Sequence, residues 1–170
     1  MRLYSGKFNL IGEEIVQALI DASLVDIERG QRSEAELDVV GVLREYQRMD
    51  RDLTQRSRDA AAVDGSNAMQ AKRRLAKEAG FRVGDDAMDY LVNQIIETFV
   101  HSAHIEEIYG EDRELRAVIT PILRKHTQDR DDELDVEVRS KIRNLQEGST
   151  AWDIEYEKAL QRIKERKGLQ

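Results

Sequence analysis

The sequence predicts an all-α protein, elongated and two-lobed, built from an internal repeat, with its lobes joined by long antiparallel charged helices. Three observations carry that prediction. Apolar residues recur at three- and four-residue spacing in every strongly patterned stretch, the period of a helix that buries one side. The composition is that of long, solvent-washed helices: 36% of the residues are charged, 5% are aromatic, and one proline occurs in 170 residues. A charged stretch from Ser33 to Val63 also has a second version roughly eighty residues later.

The first helix is predicted over Asn9–Ser23, with Ile11, Ile15, Leu19 and Ala22 on one side and Val16 and Ile20 widening the face. Leu24 to Glu28 alternate apolar and polar, which fits a frayed last turn and a short extended piece equally. Ser33, with Glu34 and Glu36 behind it, reads as a helix start: a capping hydroxyl followed by acids at the positive end of the helix dipole. The helix that follows carries Leu37, Val40, Leu43, Tyr46 or Met49, Leu53 and Ala60 in a narrow stripe, the pattern of a two-helix seam. Unbroken to Val63, it is about 45 Å long at 1.5 Å per residue, so something must lie alongside it.

Glycines mark the later boundaries, with Gly65, Gly80, Gly110 and Gly148 each following an apolar-periodic run. Ser66–Ala79 is a weakly anchored helix with Met69, Leu75, Ala76 and Ala79 among four cations. From Asp85, a natural N-cap, a strongly apolar helix carries Met88, Leu91, Val92, Ile95, Ile96, Phe99 and Ala103. A helix from about Glu111 meets Pro121, whose missing donor and ring predict a kink or a break. Leu123, Leu134, Val138, Ile142 and Leu145 continue it as a sparse stripe. The final helix opens on Thr150 and Asp153, a capping-box variant, and carries Trp152, Tyr156, Leu160 and Ile163.

Set side by side, "EEIVQALI" from Glu13 matches "DYLVNQII" from Asp89, and "LREYQRMDRDL" from Leu43 matches "LRKHTQDRDDEL" from Leu123, at offsets of 76 and 80. An apolar helix, a loop and a long charged helix are thus written twice. Residues 1–65 form the first helical repeat, and 66–170 the second with its C-terminal helix. Gly41 falls opposite Pro121, so both long helices are expected to bend there. Their outer ends are expected to pack antiparallel, with Arg44, Arg48, Arg51, Arg56 and Arg58 facing Asp129, Asp131, Asp132, Glu133, Asp135 and Glu137. A single compact bundle is the competing arrangement.

The start "MRLYSGK", the middle "RLAKEAGFRVGDDAMDYLVNQIIE", the stretch "EDRELRAVITPILRKH" and the end from "DELDVEVRSK" through "EGSTAWDIEYEKALQRIKERKG" resemble the bacterial family of unknown function numbered 507. The resemblance covers nearly the whole chain, and "EGSTAWD" with Tyr156 is its most specific signature. It implies a cytosolic, all-helical bacterial protein. Short members of that family look like the second repeat alone, which agrees with the duplication. The family carries no established activity, substrate or catalytic residue.

Composition narrows the function. With no cysteine there is no disulfide framework, no thiolate nucleophile and no cysteine-based metal site. No stretch approaches the apolar length of a membrane span and the N-terminus lacks a signal-peptide apolar region, so a cytoplasmic protein without membrane contact is expected. A net charge of −7 opposes whole-surface binding to nucleic acid or anionic lipid, leaving local basic patches. No glycine-rich phosphate loop, G-x-S-x-G elbow or H-E-x-x-H helix occurs. The carboxylates lie in mixed-charge helices, where exposure keeps them ordinary.

The candidate interaction residues are Lys72, Arg73, Arg74, Lys77 and Arg82, the densest basic cluster. Lys158, Arg162, Lys164, Arg166 and Lys167 form a second, and a basic surface balancing an acidic neighbour explains either. Glu97, His101 and His104 share one face at about 100° per residue, but a solvated polar face is the simpler reading and no fourth ligand is specified. No catalytic residue, metal or cofactor is assigned. The expectation is a non-enzymatic helical module, monomer or homodimer, that binds another protein. The alternative is a nucleic-acid or ribonucleoprotein-associated factor contacting RNA or DNA through residues 72–82.

Overall fold

A computed structural model describes residue 3, residues 5–145 and residues 150–166, without the side chains of residues 85, 128–133, 135, 136, 150, 152 and 153. The chain is mostly helical, as predicted, with six α-helices among the described residues: α1 (Phe8–Asp21), α2 (Arg32–Asp64), α3 (Ala68–Glu78), α4 (Ala87–His101), α5 (Asp112–Lys141) and α6 (Thr150–Arg166). Two short strands interrupt them, β1 (Val25–Ile27) between α1 and α2 and β2 (Ile105–Ile108) between α4 and α5. They pair antiparallel, with Val25 opposite Ile108 and an irregularity between Asp26 and Ile27.

The Leu24–Glu28 alternation therefore resolves to a strand, and β2 was not predicted at all. Four residues of "IEEI" carry no periodic signal, and they extend because β1 supplies their hydrogen-bond partners. The backbone N–H groups of Tyr109 and Gly110 both donate to the Leu24 carbonyl, at 2.9 and 3.1 Å, and closing the ribbon's other end, Glu28 N–H reaches the His104 carbonyl at 3.0 Å. Gly110 sits in close approach to Leu24. A Cβ there would stand 2.9 Å from Cδ2 of Leu24.

Helix starts follow sequence logic at some ends and not at others. Asn67 caps α3, its Oδ1 accepting from Met69 N–H at 2.8 Å, and Glu111 caps α5 in a reciprocal box with Glu114. Ser33 is not the cap of α2, which starts one residue earlier behind Gln31 with no side-chain cap. Neither predicted bend interrupts a helix, because α2 runs unbroken through Gly41 and α5 through Pro121. Pro121 is exposed, as is Ala117, whose carbonyl loses its donor, so water can serve it.

The apolar helices α1 and α4 share one core instead of founding separate lobes. Ile11, Ile15 and Leu19 of α1 and Leu91, Ile95 and Phe99 of α4 belong to the same buried cluster as Val39, Val40 and Leu43 of α2 and Leu115, Ile119 and Leu123 of α5. Each fully buried side chain of this kind stabilises by about 1.5–3 kcal/mol. Gly12 lets α1 come close to α2, since a Cβ there would meet the Glu36 carbonyl oxygen at 2.8 Å. A second, small core lies between the end of α5 and α6, with Leu134, Val138 and Ile142 against Tyr156, Leu160 and Ile163.

The expected antiparallel seam between the long charged helices is replaced by a different pairing. Beyond the shared core, α3 packs along α2, and α6 packs along α5. The ion pairs agree: Arg48 meets Glu45 and Arg56 meets Asp52 within α2, Arg58 reaches Glu157 of α6 at 3.5 Å, and Glu137 is held by Arg166. Asp129, Asp131, Asp132, Glu133 and Asp135, expected to face those arginines, lie outside the described side chains, as do Trp152 and Asp153. The predicted stripe of α2 holds at Val40, Leu43, Tyr46 and Leu53 and fails at Leu37. Ala35, Val39, Val40, Leu43, Tyr46, Leu53 and Ser57 are buried, whereas Leu37 is 49% exposed.

Candidate functional site

The five clustered cations do not share one face: four lie around α3 and Arg82 lies in the loop beyond it. Lys72 turns toward α2, its Nζ 2.7 Å from Asp50, and Arg74 reaches Asp64 at 3.7 Å. Arg73 and Lys77, one helical turn apart, instead line an open depression of about 490 Å³ with Arg82 and Asp86 from the loop before α4. Helical spacing explains the split, because residues 73 and 77 share a face that residue 72 does not.

That loop is held rigidly. Gly80 (φ +66°) and Gly84 (φ +70°) take the left-handed conformation that glycine adopts without steric penalty. Phe81 N–H donates to the Ala76 carbonyl at 2.8 Å, closing the end of α3 in a Schellman-type cap. Its ring, 1% exposed, packs 4.8 Å from Tyr46 and 5.2 Å from Tyr90, centroid to centroid. The Tyr46 hydroxyl donates to the Arg82 carbonyl at 3.3 Å. Burial, with Asp50 and Tyr90 nearby, pushes the Tyr46 phenol far above its ordinary range, so it stays a donor.

Two further grooves flank α4. One of about 360 Å³ runs between α2 and α4 over Leu37, Gly41, Val42, Met49 and Leu91, with Asp38 and Glu45 among its polar lining. The other, of about 560 Å³, lies between α4, β2 and α5 over Ile96, Phe99, Val100 and Ile105, with Glu106, Glu107 and Asp112. Val100 beside it is 61% exposed and Tyr109 at the end of β2 is 59% exposed. The field there is negative: Glu107 first, then burial and Asp26, raises the Tyr109 phenol. Sequence reasoning missed both grooves. Leu37 gave a signal, standing at i+3 before Val40 yet one position off the stripe that packs.

Elsewhere the titratable groups form structural ion pairs. His126, with 6% of its side chain exposed, sits between α1 and α5, its Nε2 2.8 Å from Glu14. Lys125 reaches the same carboxylate at 3.3 Å. The hydrogen bond from His126, more than those charges, holds the Glu14 carboxyl below its ordinary value against the cost of burial. Arg48, Ser66 and Arg116 lower Glu45, Asp64 and Asp112 in the same way. Glu97, His101 and His104 are not brought onto one face, because α4 ends at His101 and His104 lies past it, before β2. Among the described residues no group of three or more His, Asp or Glu is placed to hold a metal ion, and no helix is long and apolar enough to cross a membrane.

Fold and surface together define a mostly helical protein whose described residues form two short strands, a main apolar core with a second, smaller one, and open surface grooves. The chain belongs to the family described as protein of unknown function (DUF507), which it matches over residues 1–169. No curated protein matches it.

Proposed function

We propose that this chain is a non-enzymatic, cytoplasmic helical module that binds another protein, and that it is an elongated molecule made of two copies of one helical unit. The observation that carries the binding role is the pair of grooves along α4, where Leu37 and Val100 stay half-exposed or more beside apolar floors. Large apolar side chains left open in a concave setting favour a partner over solvent. The electrostatics support a role without catalysis: Glu14, Glu45, Asp64 and Asp112 are held below their ordinary values by donors or cations, opposite to the upward shift of a general acid.

Shape and order support the rest. The chain exposes 10531 Å², where a compact monomer of 19.6 kDa exposes about 8,600 Å². A 3-10 turn, an apolar helix, a strand, a long helix and a backing helix occur in that order twice. On this reading each unit includes its backing helix, and the boundary falls after Glu78, later than the glycine at 65 suggested.

Photo-crosslinking from position 37 and position 100 in the native cell, with exposed Arg44 as control, tests the proposal. A discrete partner captured at the groove positions, and lost from position 37 in Met49→Asp, supports it; equal capture at Arg44 refutes it. The second reading, contact with RNA or DNA, has the convergence of Arg73, Lys77 and Arg82 in its favour. Against it, Lys72 and Arg74 are already ion-paired. Binding measured across a salt series decides it, since phosphate contacts require a salt-dependent slope.

A further inference from the structure

The depression between α3 and the start of α4 sets three cations around one concavity in a chain whose net charge is −7. Arg73 and Lys77 have no ion-pair partner among the described residues, and Arg82 has only Asp86 at 3.9 Å. Like charges held together repel, and on a mobile loop they would separate. Here the left-handed glycines, the cap on Ala76, the buried Phe81 ring and the Tyr46 bond to the Arg82 carbonyl hold the backbone that carries Arg82 beside α3, so the three side chains start from one concavity. A fixed concentration of positive charge is a preorganised anion site.

The geometry points to a binding site for the phosphate or diphosphate group of a small molecule. With Asp86 counted, the described lining side chains carry two net positive charges, matching a phosphate dianion better than the single charge of a side-chain carboxylate. Two arginine forks and one lysine suit tetrahedral phosphate oxygens. The volume of about 490 Å³ falls in the range of small-ligand sites, roughly 300–1,000 Å³. Base stacking is not provided for, because Phe81 is buried beneath the surface, and this favours a compact phosphate group over single-stranded nucleic acid. The site is distinct from the apolar grooves and stands or falls independently of them.

Titration of the full chain with inorganic pyrophosphate at low salt, followed by calorimetry and by backbone amide shifts, tests the assignment. Saturable one-to-one binding is expected, with shifts centred on Lys77, Arg82 and Gly84. Affinity should fall roughly tenfold or more in the double variant Arg73→Gln/Lys77→Gln, since two charge-assisted partners are removed. Both positions are exposed on α3, and circular dichroism confirms that the fold persists. Lys158→Gln, in the basic stretch of α6, should leave affinity unchanged. No saturation at millimolar pyrophosphate overturns the assignment, as does equal binding by the double variant. In a parallel arm, single-stranded RNA that binds with a steep salt slope and is not displaced by pyrophosphate overturns it in favour of a polymer.

Discussion

Replacing Gly41 by alanine should make this protein more stable and a poorer binder at once. Gly41 lies in the interior of α2, exposed, and a Cβ built on it meets no atom within 4 Å. Nothing resists the methyl, so the change in helix propensity is felt in full, a gain of about 0.5–1 kcal/mol from the smaller backbone entropy lost on folding. In a chain of 170 residues that gain raises Tm by roughly 1–4 °C. The methyl also projects into the groove between α2 and α4, whose floor it shares with Val42 and Leu91. Crosslinking of a partner from position 37 should therefore weaken while thermal and urea unfolding show the gain. A lower Tm in Gly41→Ala would refute the reasoning, since the helix would then need glycine there for a reason other than open space.

Gly12 provides the opposite case. Its added Cβ would stand 2.8 Å from a backbone oxygen and 3.4 Å from Val40, so Gly12→Ala should destabilise by about 1–3 kcal/mol in urea unfolding as α1 is pushed off α2. Phe81→Ala should cost about 3–5 kcal/mol in the same assay, through a lost buried ring and its contacts with Tyr46 and Tyr90. Glu14 has a folded-state pKa below its ordinary 4.5. Its contribution to stability is therefore complete above that value and lost as pH falls through the lower folded value. Stability measured against pH should decline through that acid window in the wild type, and the Glu14→Gln curve should lie lower at neutral pH and lack that part of the decline.

What the sequence made legible follows from where each signal resides. The stripes of α1 and α4 were readable because strongly apolar faces have one burial solution, and Ile11, Ile15, Leu19, Leu91, Ile95 and Phe99 all reach the core. The partner of α2 was not readable. Its narrow stripe specifies a neighbour without naming it, and charge complementarity between Arg58 and an acidic helix is met as well by Glu157 of α6 as by the acids of α5. The β2 strand was hidden because its cause, the β1 backbone, lies about eighty residues away in the chain. The basic cluster was readable as composition but not as geometry, although helical spacing already placed Arg73 and Lys77 together and Lys72 apart. What no spacing revealed is the fixing of Arg82, which depends on Phe81 meeting two tyrosines from other helices.

The reading of the chain as a duplicated unit gains its firmest support from two contacts that differ in chemistry. The alignment that sets Leu43 opposite Leu123 also sets Tyr46 opposite His126, and the one that sets Glu13 opposite Asp89 sets Glu14 opposite Tyr90. Tyr46 and Tyr90 meet at 6.1 Å between ring centroids, joining α2 to α4. His126 and Glu14 meet at 2.8 Å, joining α5 to α1. Corresponding positions are thus in contact on both sides of the core, once as an aromatic pair and once as a hydrogen-bonded one. Chance helical packing has no reason to pair these four positions in that way, whereas two copies related by a pseudo-two-fold must. On the aromatic side Phe81 adds a third ring against Tyr46 and Tyr90; on the other, Glu14 and His126 join α1 to α5 by a hydrogen bond.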